Sequence, residues 1–453
     1  MTDFDEFASR ISGPVLIPAD AGYGEEVAGF NLAMVHRPDV VVGATDAADV
    51  VEAVLFAREL GIPVRVQTTG HGSLYPIRGG LLITTKRLDA VTIDASARIA
   101  TFGGGVRWGA IIAAAGAHGL APIAGSSPTV GAIGYLLGGG LGPLNRSHGF
   151  SSDYLRSLTV VTGAGELVEA SAESNPDLFW ALRGGKGGLG IVVQATIELI
   201  ELPALYGGSL LFDVEHGPAV LGGWLDWTTT AREDISTSLA IVRFPDLDVV
   251  PPPMRGRHLI SLRFAYPGPT PEGADLAAPL RALAPVHLDA LGELPASEIA
   301  RVHNDPTEPG MSWVRGFAVS GLDRGFVASY LGAVGARTSA PFIVTELRHL
   351  GGATRTDVAD GSAVGARDAE FAVTIIGVPD PGLFEAVLPG AVAELRGMLA
   401  PWLSESVPIN WIQEPWIPEQ YASAWSTPTR ARLTQVRAAY DPDHVFPYGP
   451  PRH

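Results

Sequence analysis

A buried β-strand that breaks into a glycine-rich turn with a histidine at its tip is the feature that most constrains this chain. The run 64–73 is the strand, and Gly70-His71-Gly72 is its turn. Glycines adopt backbone conformations in which successive N–H groups point one way and cradle a phosphate. The histidine is then held against whatever carries the phosphate. The turn therefore predicts a dinucleotide site with a possible imidazole tether, and a purely structural turn is the alternative.

Composition and charge exclude several classes of function. The chain has 453 residues, 46% of them hydrophobic, which is enough for two or three globular domains. Its formal charge of −17 disfavours nucleic acid and anionic membranes as partners. The absence of cysteine excludes disulfides, thiolate metal sites and thiol nucleophiles. Because the N-terminus is acidic and no long apolar run is present, we expect a cytoplasmic protein. We expect it to be a monomer or a homodimer.

The order of the predicted elements changes along the chain. Strands and helices alternate over the first two hundred residues, with Thr45 or Asp46 as a helix cap and Asn175 as another. A long strand is expected over 191–201, and a helix over 429–440 near the C-terminus. The middle third has fewer motifs, with strand-like runs between helical stretches. It is therefore predicted to be a separate α+β domain.

Two further glycine-rich regions lie in the first two hundred residues. Seven glycines occur within residues 125–142, and five more within 184–190. Next to apolar residues, such a composition is typical of backbone pressed against a flat ligand, where a Cβ would clash. A tightly packed sheet corner is the alternative. None of these regions has the spacing of a Rossmann fingerprint or of a P-loop.

An ordered set of motifs resembles the vanillyl-alcohol oxidase/PCMH superfamily of flavoproteins, in its berberine-bridge-enzyme-like branch. The set covers most of residues 14–203 and the C-terminal tail. Its members are His36-Arg37-Pro38, Gly70-His71-Gly72, the run 103–109, the runs 125–131 and 137–142, His148-Gly149 with Asp153, the runs 177–185 and 190–193, 347–353, 367–369, and 440–446.

The resemblance implies an α+β fold with a two-lobed PCMH-type FAD-binding domain and an α+β substrate domain with an antiparallel sheet. The implied segments are residues 1–203 for FAD, 204–401 for substrate, and 402–453 returning to the FAD domain. The resemblance carries FAD binding onto Gln67, Thr68, Thr69, Gly70, His71, Gly72, Ser126, Thr129, Val130, Gly134, Tyr135, Gly138, Gly190 and Val192. It also implies that His71 is bonded covalently to the flavin.

The chain departs from the family at three positions. A second attachment through cysteine falls on Ser127, so we expect attachment through His71 only. Tyrosines that some members use near the flavin fall on Leu141 and Trp411. The identity of the catalytic base is therefore open.

Glu346, Arg348 and Trp411 are the predicted catalytic residues. Glu346 and Arg348 share one face of a probable strand, where a buried carboxylate can accept a proton or form a structural ion pair. Arg367 is a further residue expected at the substrate cavity. No metal site is predicted.

The function that follows from the resemblance is that of an FAD-dependent oxidoreductase. A medium-sized alcohol, phenolic or polycyclic substrate, such as a secondary metabolite, would give a hydride to flavin N5, and O₂ would reoxidise the flavin. Two alternatives stay open. One is a redox-neutral cyclase or lyase that uses FAD as a scaffold, and the other is a flavin-binding protein without turnover.

Overall fold

The strands of this α+β protein form four sheets in the part of the chain that the structure describes. The structure is a computed structural model and describes residues 3–412, 414 and 417–448. The sheets have four, five, two and eight strands. Most strand pairs are antiparallel. The parallel pairs lie in the four-stranded sheet. The predicted α+β class with an antiparallel sheet is confirmed.

The first lobe is a four-stranded sheet with the order β1-β2-β4-β3. Its strands are β1 (Val15–Leu16), β2 (Val40–Gly43), β3 (Val64–Gln67) and β4 (Leu81–Thr84). Its helices are α1 (Asp3–Arg10), α2 (Tyr23–Val27) and α3 (Ala47–Glu59). Asp46 caps α3 by accepting a hydrogen bond from the Asp49 amide, as predicted from its position before an apolar helix. The parallel strands β2, β4 and β3 direct their carboxyl ends to one edge, and the Gly70–His71 turn leaves from that edge.

The second lobe is an antiparallel five-stranded sheet with the order β5-β6-β10-β8-β9. Its strands, with the short pair β7 and β11, are β5 (Val91–Asp94), β6 (Ile99–Gly103), β7 (Leu120–Ala121), β8 (Leu155–Val161), β9 (Leu167–Ser171), β10 (Ile191–Glu198) and β11 (Ile200–Glu201). Its helices are α4 (Trp108–Gly116), α5 (Ala132–Leu136), α6 (Asn145–His148) and α7 (Pro176–Leu182), with a 3-10 turn at Ser151–Tyr154.

Two sequence predictions in this lobe need correction. The single strand over 191–201 is two strands, because β10 ends at Glu198 and β11 turns away to pair with β7. Asn175 does not cap α7 with its side chain. It has a left-handed φ of 46°, and its amide donates to the Glu169 carbonyl at 2.7 Å instead.

The eight-stranded sheet is antiparallel, with the order β15-β12-β14-β13-β18-β19-β17 and with β16 paired to β12. Its strands are β12 (Ala204–Asp213), β13 (Ser236–Arg243), β14 (His258–Tyr266), β15 (Leu288–Asp289), β16 (Gly292–Pro295), β17 (Val314–Val319), β18 (Phe342–His349) and β19 (Phe371–Gly377). Its helices are α8 (Gly217–Thr228), α9 (Thr270–Arg281), α10 (Arg324–Val334), α11 (Pro381–Phe384) and α12 (Leu388–Met398). Short 3-10 segments lie at Val214–His216, Ala296–Val302, Gly352–Arg355, Ala400–Trp402 and Ile409–Trp411.

Alternation along the central strands gives this sheet two unlike faces. Leu239, Leu262 and Leu347 are fully buried in one apolar core with the helix residues Trp224 and Phe326. Their neighbours along each strand point to the opposite face, because side chains alternate across a strand. Those neighbours include serine, arginine and glutamate, so the second face of the sheet is polar and buried.

The C-terminal tail packs on the two lobes. Its helices are α13 (Pro418–Ser423) and α14 (Thr427–Tyr440), and Ser426 caps α14. Arg437 of α14 donates to the carbonyls of Gly185 and Gly187 at 2.7 and 3.0 Å. The Val445 carbonyl accepts a hydrogen bond from the amide of Val64 at 2.8 Å. The boundaries expected at residues 203/204 and 401/402 stay predictions.

Asp49 joins the chain before β1 to the start of α3. Its carboxylate is 1% exposed and accepts hydrogen bonds from the amides of Ser12, Gly13 and Thr45 and from the Thr45 hydroxyl. Burial works to raise the pKa of this carboxyl, but the hydrogen bonds from Thr45, Ser12 and Gly13 outweigh it and hold the pKa below its ordinary value.

We expect Asp49→Asn to lower the free energy of unfolding by about 2–4 kcal/mol at neutral pH, since charge-assisted hydrogen bonds are lost and an amide NH₂ faces donors. The measurement is urea denaturation followed by circular dichroism. Because the folded-state pKa of Asp49 is lowered, its stabilisation is present at neutral pH and is lost as the pH falls through that folded-state pKa. The gap between wild type and variant should therefore narrow in acid.

Asp46→Asn is the matched control. Asparagine caps helices as well as aspartate does, so this variant should lie within about 0.5 kcal/mol of wild type. Equal losses in the two variants would contradict the role given to Asp49.

Candidate active site

The glycine–histidine turn follows directly from β3. Gly70 has a φ of +72°, and a Cβ there would lie 2.7 Å from the Gly29 Cα. Only glycine fits such a conformation and so close an approach of backbone. No described atom lies within 4 Å of a Cβ built on Gly72, so that side of the turn is open.

His71 is a neutral imidazole held from two sides. Its Nε2 lies 3.0 Å from the Thr129 hydroxyl, and its ring stacks on Phe30 with 3.5 Å between centroids. Burial, with a smaller contribution from the Arg107 charge, lowers the pKa of His71 to about 4. The ring thus offers an unprotonated nitrogen at neutral pH.

The serine-rich loop before α5 meets this turn. The Ser127 hydroxyl lies 3.0 Å from the Thr129 hydroxyl, so two hydrogen bonds link Ser127 to His71. The neighbouring Ser126 donates to the Asp305 carboxylate at 2.6 Å. The loop therefore connects the turn of the first lobe to a segment between strands of the large sheet.

Backbone contacts bring the other predicted cofactor segments beside these two loops. Thr68 donates to the Gly104 carbonyl at 3.0 Å, and a Cβ on Gly104 would lie 2.7 Å from the Val192 carbonyl. The Gly131 amide donates to the Thr69 hydroxyl at 3.3 Å. Residues of both lobes thus meet around Gly104.

Val130 and Gly190 occupy constrained backbone positions next to these contacts. The Val130 carbonyl accepts a hydrogen bond from the Trp108 amide at 3.0 Å. Gly190 has a φ of +119°, and a Cβ there would lie 2.6 Å from the Val160 side chain. Both positions are fixed by packing inside the second lobe.

A buried lysine, Lys186, hydrogen-bonds to helix α5 and to Asn410. Lys186 donates to the Asn410 side-chain oxygen at 2.5 Å and to the Gly134 carbonyl at 3.1 Å. Burial lowers the pKa of Lys186 to about 8. The Asn410 amide in turn donates to the Tyr135 carbonyl at 3.4 Å, and a Cβ on Gly138 would clash with Asn410.

The residues of the two loops fit a flavin dinucleotide. Gln67 Oε1 is buried without a hydrogen-bond partner among the described residues, although its Nε2 donates to the Val27 carbonyl at 3.1 Å. Gly72 and Gly134 leave open space where side chains would stand. Together with the neutral imidazole of His71, these features supply a cradle and a nitrogen for attachment. The assignment of individual residues to FAD stays a prediction.

Glu346 lies on the polar face of the large sheet, ringed by cationic side chains. Its carboxylate is 5% exposed and accepts from Arg263 at 2.8 Å and from Arg348 at 3.2 and 3.4 Å, while His303 Nε2 lies at 3.5 Å. Burial works to raise the pKa of Glu346, but Arg348, Arg263 and His303 outweigh it and hold the pKa well below its ordinary value. Glu346 is therefore an ionised carboxylate and a weak proton acceptor.

Arg348 brings the three predicted catalytic residues together. Besides Glu346, it donates to the Leu141 carbonyl at 2.8 Å, at the end of the glycine run 138–142. Its guanidinium carbon lies 5.6 Å from the centroid of the Trp411 ring, within cation–π range. Trp411 is held by a hydrogen bond of 3.0 Å to Thr374, which pairs with Glu346 across the sheet.

A cavity opens beside this cluster, between residues 142–145 and the polar face of the sheet. Ser238, Arg263, His303 and Arg348 are among the residues that line it. Of the residues expected at a substrate cavity, Arg348 lines this space, whereas Glu346, Trp411 and Arg367 do not. Arg367 pairs with Asp153 at 2.6 Å, so two motifs of the sequence resemblance stabilise each other away from the cavity.

Sequence reasoning missed several residues of the site. Arg263 had a detectable signal, since it is the one charged residue in the largely apolar run 259–266. Phe30, His303 and Asp305 lie in loops whose local sequence carries no comparable pattern, and folding alone brings them to the site.

Two features are absent from the part of the chain that the structure describes. No group of three or more His, Cys, Asp or Glu side chains there is placed to hold a metal ion. No described helix is both long and apolar enough to cross a bilayer.

Sequence comparison identifies the cofactor domain. Residues 38–171 match a family model described as an FAD binding domain. The chain is 30% identical over 225 residues to (R)-6-hydroxynicotine oxidase of Paenarthrobacter nicotinovorans, which is 49% of this chain and 46% of that protein. The chain spans about half the length of the curated relatives it matches.

Structural comparison covers the whole fold. BBE-like 1 of Physcomitrella patens has a TM-score of 0.85 at 19% identity, over 100% of both chains. Glucooligosaccharide oxidase from Acremonium strictum, described with a 6-S-cysteinyl, 8α-N1-histidyl FAD, has a TM-score of 0.81 at 20% identity, over 97% and 96% of the two chains. These likenesses fix the fold of both the lobes and the large sheet. Residues 38–171 thus match an FAD binding domain, and the fold of the described chain is the one seen in these two proteins.

Proposed function

We propose that the chain is an FAD-dependent oxidase of a medium-sized alcohol, phenolic or polycyclic metabolite, with O₂ as electron acceptor. When bound, FAD supplies the redox chemistry by accepting a hydride from substrate at N5 and passing the electrons to O₂. The observation that carries the proposal is the contact of Arg348 with Leu141, Glu346 and Trp411. This contact brings the predicted catalytic residues next to the glycine run 138–142, which belongs to the segment matched by the FAD binding domain.

The substrate class is supported by the surface that Trp411 and Leu141 provide. Leu141 is 2% and Trp411 9% exposed, and the Arg348 guanidinium contacts both the Leu141 carbonyl and the Trp411 ring. Neither offers a phenol, whereas an indole ring is a large apolar surface for stacking. The relative named 6-hydroxynicotine oxidase supports a flat heterocyclic or aromatic substrate.

In this proposal the role of Glu346 is to bind and orient Arg263 and Arg348. Each of its oxygens accepts from a guanidinium, and its low pKa makes it a poor base. Arg348 then remains a fixed cation beside the substrate, and Trp411 excludes water from one side. The alternative role, that of a general base, is separable by experiment.

The test of the oxidase proposal is anaerobic mixing of the yellow holoprotein with a library of metabolites. Bleaching of the flavin by an alcohol, phenol or polycycle, followed by recovery with O₂ and release of hydrogen peroxide, supports an oxidase. Product without bleaching means redox-neutral cyclisation or elimination. Binding without either means a flavin-binding protein, and both outcomes overturn the proposal.

We expect FAD to stay with the protein through acid precipitation, since His71 presents a neutral imidazole at the cofactor turn. A denaturing gel should show a fluorescent band for wild type and for His118→Ala, which changes an exposed histidine. His71→Ala should lose the band. Free FAD in the wild-type supernatant would rule out the tether.

A single attachment is expected, because the chain has no cysteine and Ser127 stands where the family's second link would form. Peptide mapping by mass spectrometry should find flavin only on the His71 peptide. Ser127 lies two hydrogen bonds from His71, so Ser127→Cys places a thiol near the same ring. Flavin on any other wild-type peptide is the contrary result.

We expect Glu346→Gln to act mainly on stability, because it leaves two buried arginines without their counter-charge. The cost should be about 3–5 kcal/mol in the free energy of unfolding. Flavin reduction by a substrate from the screen should slow by less than about 10²-fold and keep its pH profile above pH 5, as the pKa of Glu346 is already low.

Glu198, which is partly exposed and paired with Arg156, provides the control. Glu198→Gln should change stability by at most about 1 kcal/mol. A loss of about 10²–10⁴-fold in flavin reduction in Glu346→Gln, with stability unchanged, would instead make Glu346 the general base.

A further inference from the structure

The imidazole of His71 has two orientations that its stacking contact does not distinguish. His71 and Phe30 stack with 3.5 Å between ring centroids and an angle of 17° between ring planes. A half-turn of the imidazole about its bond to Cβ keeps this plane and exchanges each nitrogen with a ring carbon. The stack therefore fixes the plane of the ring, but it does not decide which side each nitrogen faces.

Backbone hydrogen bonds on both sides hold Phe30 in place. Its amide donates to the Thr69 carbonyl at 2.7 Å, and its carbonyl accepts from the Gly310 amide at 3.0 Å. The next residue, Asn31, is 8% exposed and donates from its side chain to the Ser312 carbonyl at 3.0 Å. The stacking ring is thus tied both to the first lobe and to the segment before β17.

The Thr129 hydroxyl distinguishes the two orientations of His71. In the observed orientation, His71 Nε2 lies 3.0 Å from Thr129 Oγ1. After a half-turn a ring C–H group would face that oxygen, and the hydrogen bond would be lost. A hydrogen bond of ordinary strength favours one orientation by roughly 2–10-fold. Thr129 therefore selects which nitrogen the ring presents on its other side.

Thr129 can also stabilise a positive charge on the ring. Burial lowers the pKa of His71 to about 4, so a cationic ring is costly at this position. When one nitrogen forms a new bond, the ring becomes positive, and a hydrogen bond from Nε2–H to Thr129 becomes charge-assisted and stronger. Thr129 can accept this bond because its own hydrogen can go to the Ser127 hydroxyl, 3.0 Å away.

We propose that Thr129 is a positioning residue for the covalent attachment of FAD to His71. The inference rests on the proposed function and deepens it, because the tether is one of its predictions. The role differs from the direct FAD contact that the sequence resemblance implies for Thr129. Loss of a contact lowers the affinity for FAD, whereas loss of positioning slows attachment at unchanged affinity.

The attachment balances as an oxidation of the flavin methyl group. A C–H bond of the 8-methyl group breaks, and a bond forms between that carbon and a nitrogen of His71. The flavin ring gains two electrons, and two protons leave, one from the methyl group and one from the imidazole. O₂ then takes up the two electrons and two protons as hydrogen peroxide, which leaves oxidised, attached FAD.

The test follows attachment directly and needs no substrate. The full chain, made without FAD in riboflavin-starved cells, is mixed with FAD in air, and the fluorescence of its band on a denaturing gel is measured over time. Thr129→Val should attach FAD about 5–20-fold more slowly than wild type, since both the orienting and the charge-assisted hydrogen bond are lost. Thr129→Ser keeps the hydroxyl and should stay within about threefold of wild type.

Thr101→Val is the matched control. Thr101 Oγ1 lies 3.1 Å from the Thr196 hydroxyl, between β6 and β10, so the same substitution removes a similar hydroxyl pair elsewhere. Its attachment rate should equal that of wild type. The main-chain contact of Thr129 with His71 is present in every Thr129 variant, so the comparison isolates the hydroxyl. If Thr129→Val does not fold by circular dichroism, Thr129→Ala carries the test with the same expected loss.

FAD affinity separates positioning from binding. In a His71→Ala background FAD cannot attach to this residue, and a titration followed by flavin fluorescence gives the Kd. Adding Thr129→Val there should change the Kd by less than about twofold. An attachment rate equal to wild type in Thr129→Val overturns the proposal. A loss of affinity as large as the loss of rate also overturns it, because Thr129 is then a direct FAD contact.

The outcomes separate this inference from the proposed function. Wild type that binds FAD but never attaches it would overturn the role of Thr129 and leave the oxidase proposal standing, since bound FAD supplies the same redox chemistry without a tether. Attachment that depends on the Thr129 hydroxyl, in a protein whose flavin no metabolite bleaches, would overturn the oxidase proposal and leave the positioning role standing.

Discussion

The buried guanidinium of Arg348 is the interaction on which the arrangement of the site depends. It bonds to Glu346 on its own strand, to the Leu141 carbonyl in the second lobe, and faces the Trp411 ring near the C-terminal tail. Five donors in a fixed planar fork allow one side chain to join several partners at set angles. The large sheet, the glycine run and the tail are therefore held in register at the point where chemistry is proposed.

That arrangement buries charged side chains, and their charges are neutralised by partners on the same polar face of the sheet. Glu346 neutralises Arg263 and Arg348, and the apolar face of the same strands packs on helices to stabilise the whole layer. Taking ions out of water is costly unless they are paired and hydrogen-bonded.

The sequence predicted regular elements well where periodicity and turn chemistry agree. The cap at Asp46 and the strand before Gly70 both follow from local residues, and the structure contains them. The predictions from sequence failed where tertiary contacts decide the local structure. The 191–201 strand breaks because β11 finds a different partner, and Asn175 bonds to β9 rather than to its helix. Neither choice is encoded in the local pattern.

The sequence by itself determined the FAD motifs, the lack of any thiol at Ser127 and the loss of phenols at Leu141 and Trp411, since these depend only on which residues are present and in what order. Only the tertiary structure decided that Arg367 pairs with Asp153, and that Ser238, Arg263 and Arg348 form one row with His303 nearby. The reason is physical: register between strands more than twenty residues apart is set by burial of their apolar face, and the polar face follows from it.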